Sequence, residues 1–433
     1  MRFLRNNKIE ILLLIIVSFS LGLKLYGLEN PKKHYFDEIY FAFTAQEMAK
    51  GNRAGWESWH KAPKGFAYEW THPPLGKELS ALGILIFGDN TFGWRFFQAF
   101  FGGLGTLIIY LLGKELFNSK RAGLISSFLF TCDSFIFVLS RIAMVDIFLM
   151  TFILASSLFL VKFARTKRRL FLLLTGFFCG AAISVKWSGV YALEFLGAVA
   201  FGLILYTKAR SPDGRRDSYF MLGLKALPPV LIAFVLIPLV VYIATYIPFF
   251  LHGNSVGDFI SLQGSMYGYH KGLNATHPYS SPWWNWPLLL RSVYLHLGSS
   301  EGGRHEYIYA LGNPFIWWTG CVFFVLGIVE VIRKELPALA FALLSVLAYW
   351  LPWAVSPRKL SFLYHFLPSL PFLILTITYF LELIWGKWRY GRVFVLIYLV
   401  AAFGTFVYFY PILAGVPIPD SSLGRYIWIK GWR

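Results

Sequence analysis

The sequence predicts an all-α polytopic membrane protein, a bundle of about eleven transmembrane helices with two long loops on one side. Three observations carry that prediction. Apolar runs near 20 residues recur from end to end, the length a helix needs to cross a bilayer core. Only 14% of residues are charged, where a soluble domain carries about 25%, and the mean hydropathy is +0.57. The formal net charge of +18 is spread over short segments between the apolar runs. That spread follows membrane topology, because cytoplasmic loops attract Lys and Arg, and it argues against a nucleic-acid surface. A membrane β-barrel would show short segments of alternating polarity, which the chain lacks.

The elements follow in order. Arg2, Arg5 and Lys8 precede an apolar run at 9–28 with no small-x-small cleavage site behind it, so it reads as a retained first helix. A long loop covers 29–90. Within it, "EIYFAFTAQEMAKG" reads as a helix, and Pro73 and Pro74 start another, since their missing N–H groups cost nothing at a helix start. Further spans are expected at 93–116, 123–139, 147–164, 170–185, 189–206 and 227–250. A second long loop covers 251–312. Four more spans follow at 315–332, 337–354, 361–384 and 393–412. The chain thus divides into residues 1–250, the second loop at 251–312, and a C-terminal region at 313–433.

Loop charge orients the bundle. With the N-terminus in the cytoplasm, the inward loops are "NSKR", "RTKRR", "TKARSPDGRRD", "RKE" and "GKWRYGR", all basic. The C-terminus and both long loops then lie outside. All nine histidines fall on that outward side, a feature the loop charges did not use.

Candidate chemistry concentrates there. Asp37 and Glu38 are adjacent, and adjacent helical positions point about 100° apart. They are therefore not a shared-proton dyad: one carboxylate can face a cleft and the other a support, or both can be solvated charges at a helix start. "HPPLGK" carries His72 and places Lys77 in the first turn of a helix, where a cation beside free N–H groups strengthens an anion site. Arg95, Arg141 and Lys186 sit beside or within spans on the outward half. A cation there needs a partner. Asp146, five residues after Arg141, is the expected partner of Arg141. Lys186 has no carboxylate near it in sequence, so a bound anion is one way to satisfy it. Lys24 lies near the outer end of the first span, where it can snorkel. Cys132, Cys179 and Cys321 lie in apolar runs and match no metal or disulfide pattern. No metal site and no cofactor are expected.

Taken together, the "FDE" pair, "HPPLGK", "SRIAMVD", "SVKWSG", "HPYSSPWWNWPLLLR", "GNPFIWW" and "YHFLPSLPF" resemble the protein O-mannosyltransferase family, polyprenyl-phosphate-mannose-dependent enzymes of the GT-C membrane class. The last three motifs are most similar to its bacterial branch. The resemblance implies a GT-C bundle with an outer-leaflet site, a polyprenyl-phosphate-mannose donor, a Ser/Thr-containing acceptor protein, and no nucleic-acid partner. It implies Asp37 as catalytic acid/base and Glu38 as its essential neighbour. Arg95 and Lys24 fall where the family carries arginines. Eukaryotic members hold a β-trefoil domain in an outward loop, and the loop of about 60 residues here is too short for one. On this reading Asp37 deprotonates a Ser or Thr hydroxyl. Lys186 and Arg95, with Lys77 and Arg141 behind them, hold the leaving phosphate; His72, Lys24 and Asp146 support the site. Two other readings fit less of the sequence: a GT-C transferase with a lipid or glycan acceptor, similar to aminoarabinose transferases, and a lipid-linked-sugar transporter.

Overall fold

The structure, a computed structural model, describes residues 7–210, 218–298 and 302–433. Arg2, Arg5 and most of the expected basic loop at 207–217 lie outside the described residues. Among those described, eight helices are long and apolar enough to cross a membrane. They include α4 (Thr91–Phe117), α7 (Asp146–Thr166), α9 (Val190–Ala209), α14 (Pro314–Arg333), α15 (Pro337–Trp350) with the 3-10 turn Leu351–Ala354 that continues it, α16 (Leu370–Lys387) and α17 (Gly391–Ala414). The eighth joins α10 (Tyr219–Leu231) to α11 (Ile237–Ala244) through a π-helical turn at Ile232–Leu236. Pro228 and Pro229 lie just before that turn and cannot donate to the carbonyls one turn back. Gly176 on α8 (Arg169–Val185) meets the same turn so closely that a Cβ would overlap the Ala233 carbonyl.

The three remaining expected spans, and one of the eight, depart from the plain apolar helix the sequence predicts, each for a visible reason. The first, α1 (Lys8–Leu25), carries Lys8, Glu10 and Lys24. The expected span at 123–139 is two helices, α5 (Lys120–Thr131) and α6 (Ser134–Leu139). Asp133 breaks it by capping α6, accepting from the Phe135 and Ile136 amides at 3.0 Å each. α8 has only 17 residues. The span expected to begin at 361 begins at Leu370 instead, because Pro368 and Pro371 fall inside the apolar run.

Both long loops and the C-terminal tail fold onto one face of the bundle, the loop face. The first loop forms α2 (Glu38–Ala49) and α3 (Leu75–Phe87), as its sequence predicts. The span expected at 227–250 ends in a separate short helix, α12 (Ile247–Leu251), and the second loop holds structure that periodicity did not reveal: α13 (Val256–Gly272), and an antiparallel pair of β1 (Val293–Leu297) with β3 (Tyr307–Ala310). A short strand β2 (Arg304–His305) pairs with β4 (Ile418–Pro419), which brings the tail onto the loop. The loops are tied together: Asn254 donates to the buried Glu57 at 2.8 Å, and His270 Nε2 lies 2.8 Å from the Thr71 carbonyl. Trp286, Trp317 and Trp432 are fully buried beneath this layer.

Candidate active site

Asp37 and Glu38 stand at the start of α2 and take opposite fates. Glu38 is fully buried and accepts from Arg95 Nε at 2.7 Å and Arg95 Nη2 at 2.8 Å. The Ala143 amide adds a third bond at 2.9 Å. Arg95 gives its other donors to the carbonyls of Leu28, Pro31 and Lys33 at 3.0–3.1 Å. All five guanidinium N–H groups are thus committed within the protein. Arg95 therefore does not reach a phosphate, contrary to the sequence expectation; it fixes Glu38 and the entry to the first loop.

Asp37 is the N-cap residue of α2, yet its carboxylate caps nothing and accepts no hydrogen bond among the described residues. Burial pushes it up to about 7. The nearby Asp146 adds to that rise, while Lys186 and Arg358 oppose it. A half-titrated carboxyl at neutral pH suits a general base.

Lys186 follows the C-terminus of α8 in extended conformation and is buried. Its Nζ lies 2.9 Å from Asp146 Oδ1 and 5.4 Å from the centre of the Tyr364 ring. Sequence proximity misassigned this pair. Arg141 does not meet Asp146; it caps the end of α1, donating to the carbonyls of Leu23, Lys24, Tyr26 and Gly27 at 2.7–3.2 Å. Asp146 opens α7, where a negative charge suits the helix N-terminus. Among the described residues Lys186 Nζ makes this single hydrogen bond, so two of its three N–H donors remain for the cleft.

Lys77 is likewise spent. It binds Glu69 Oε2 at 2.8 Å and the carbonyls of Glu69 and His72. It anchors the 69–72 segment and is not a phosphate contact. Burial alone would raise the Glu69 carboxyl, but Lys77 and His72 outweigh it and hold the group well below the usual range. Lys24 binds Ser20 Oγ at 2.6 Å inside the bundle, away from the cleft.

A cleft on the loop face is lined by His72, Lys186, Trp187, His270 and Arg358. Arg358 is the cation that sequence reasoning missed. Its Nε donates to the Leu360 carbonyl at 2.9 Å, and its Nη1 lies 3.4 Å from His270 Nδ1. Burial, reinforced by His72, lowers His270 to about 4, so it is neutral and can accept from Arg358. The signal for Arg358 was present: "SPRK" is a basic segment on the side that positive-inside bias leaves poor in cations. Glu69 and His270 lie in the first and second long loops, and nothing in the sequence joined them.

The multipass helical bundle, with an acid and two cations gathered beside its loop layer, shares its fold with solved membrane proteins. The chain superposes on a chain of the Saccharomyces cerevisiae protein O-mannosyltransferase Pmt1–Pmt2 complex bound to the sugar donor. That match has a TM-score of 0.83 and 16% identity, covering 98% of this chain and 93% of that one. ArnT from Cupriavidus metallidurans bound to undecaprenyl phosphate matches at TM-score 0.62 and 14% identity, over 93% and 76%.

Residues 14–254 match the dolichyl-phosphate-mannose-protein mannosyltransferase family, and residues 255–432 match the C-terminal four TMM region of protein-O-mannosyltransferase. The chain belongs to the protein O-mannosyltransferase family. Among curated relatives, the polyprenol-phosphate-mannose–protein mannosyltransferase of Mycobacterium tuberculosis is 27% identical over 98% of this chain and 91% of its own length. Its Corynebacterium glutamicum namesake is 26% identical over 97% and 92%.

Proposed function

We propose that this protein transfers mannose from a polyprenyl-phosphate-mannose donor to Ser or Thr hydroxyls of proteins at the outer face of the membrane. Relatives that align along nearly the whole chain bear protein mannosyltransferase names, whereas an aminoarabinose transferase match covers only 28% of it. One observation carries the mechanism. Asp37 is uncommitted and raised to about 7, while its neighbour Glu38 is locked by Arg95.

The steps balance as follows. Asp37 takes the proton from the acceptor hydroxyl, and the freed oxygen attacks the anomeric carbon. The bond from that carbon to the phosphate oxygen breaks, and polyprenyl phosphate departs with the electron pair. The leaving group is stable without a proton, so one carboxylate suffices where glycoside hydrolysis uses two. Lys186 and Arg358 supply the positive field in which charge gathers on the phosphate. Attack opposite the phosphate inverts the anomeric centre. His72 and Lys77 hold the 69–72 segment that borders the cleft.

The outward orientation is supported by the basic segments of the opposite face, among them Lys167, Arg168, Arg169 and Lys334, all exposed. Purified protein, a polyprenyl-phosphate-mannose donor and a Ser/Thr peptide test the reading. A hexose mass increment on the peptide is expected. A glycosylated lipid with an unmodified peptide would overturn the protein acceptor.

A further inference from the structure

The cleft has a floor. Beneath Lys186, Ser188, Tyr191 and Trp353, which belong to both spaces, a recess of about 10 Å³ is also walled by Asp146 and His365. Such a volume takes one oxygen-sized group. Both residues are only 3% exposed. Asp146 Oδ2, His365 Nε2 and Tyr349 Oη, all on this recess, are buried atoms without a hydrogen-bond partner among the described residues. Unpaired buried polar atoms are costly, so three on one recess call for a ligand that bonds them.

Their chemistry is complementary. The Phe362 amide donates to His365 Nδ1 at 3.0 Å. The Phe362 carbonyl, 3.1 Å from the same nitrogen, already accepts the His365 amide at 3.0 Å. Nδ1 is therefore an acceptor, and the neutral ring carries its proton on Nε2. Trp353, with its ring centre 4.0 Å away, and Trp286, at 5.8 Å, hold the imidazole in place. Asp146 Oδ1 is occupied by Lys186, which leaves Oδ2 as an acceptor. The recess thus presents one N–H donor, one carboxylate acceptor and the Tyr349 hydroxyl, which can donate or accept, around room for a single oxygen.

We propose that His365 and Asp146 form a single-hydroxyl subsite for the donor sugar, in which His365 Nε2–H donates to one pyranose hydroxyl and Asp146 Oδ2 accepts its hydrogen. The subsite rests on the mannosyl-donor reading above and adds a specificity determinant to it. Because Asp146 holds the hydroxyl through one oxygen and Lys186 through the other, sugar and phosphate are read by one carboxylate. A water molecule has the same hydrogen-bonding chemistry, and the test separates the two sources.

The full-length protein is assayed with polyprenyl-phosphate mannose and with each singly deoxygenated mannosyl donor. The wild type is expected to lose about 10⁴-fold in kcat/KM with one of these, because sites built to bind a hydroxyl reject its absence. His365→Leu should lose activity with mannose but fall no further with that deoxy donor. His365→Gln, which keeps an N–H in reach, should recover part of the discrimination. If His365→Leu does not fold, the narrowed discrimination of His365→Gln carries the test. Discrimination identical to wild type in the variants would assign the recess to water and overturn the proposal. No transfer from any donor by the wild type would instead overturn the function itself.

Discussion

At the residue scale, Asp37 sets the pH response. Its carboxyl is held up near 7 by burial and by Asp146, and a base must be ionised to work. Below about pH 7 the protonated form dominates, so kcat/KM should fall about tenfold per unit of acidification and level off above it. A profile flat from pH 5 to 8 would exclude Asp37 as the base. Asp37→Asn should abolish transfer while donor binding survives. The raised group also carries a stability sign. Between its unfolded value near 3.8 and about 7, the folded state holds a proton that the unfolded state has lost. Stability is therefore lost as pH rises through that window, and Asp37→Asn should unfold no earlier than wild type at pH 8. Lys186→Met should weaken donor binding, since it removes a cation with two uncommitted N–H groups.

The residue scale also shows where sequence reading stops. The acid pair was legible because two carboxylates between an apolar run and a helix are unusual, but which one was free depended on Arg95, 57 positions beyond Glu38. Arg141 and Asp146 are five residues apart, yet the turn between α6 and α7 sends one to α1 and the other to Lys186. Lys77 was read correctly as first-turn and wrongly as available, because Glu69 lies in an irregular segment with no period to place it. A cation's position along the chain is legible; the number of its donors already taken is a property of the fold.

At the scale of elements, the Glu38–Arg95 clasp holds α2 against α4. Both partners are completely buried. Removing one leaves the other charge uncompensated, so Glu38→Ala should cost about 3–5 kcal/mol. Replacing both with apolar residues of similar volume should cost less, and thermal unfolding in detergent of the two variants decides it. Equal losses would mean that the clasp adds nothing beyond its volume. The helix predictions held best where apolar length was unbroken and failed where a polar cap intervened, as at Asp133, or where prolines interrupted an apolar run, as at 368 and 371.

For the whole molecule, the loop layer and the tail form one structure. Trp432 is buried and its carbonyl accepts from Ser292 at 3.0 Å. Trp432→Ala should therefore destabilise the protein by about 3–5 kcal/mol, read as a lowered unfolding midpoint. Orientation is checked by labelling intact cells with a membrane-impermeant maleimide. Cysteine placed at the exposed Lys64 should react and cysteine at the exposed Lys334 should not; the reverse pattern would invert the topology. Cys132 and Cys179 are buried and should give no background from those positions.

The clasp beside Asp37 has a practical consequence. Since only the backbone of residue 37 bonds to its helix and its side chain caps nothing, that side chain can be exchanged while the scaffold stays put. An asparagine there would stall the protein with its lipid-linked sugar unspent, giving a long-lived complex for imaging. Residue 37 is thus a replaceable tool tip on a fixed handle.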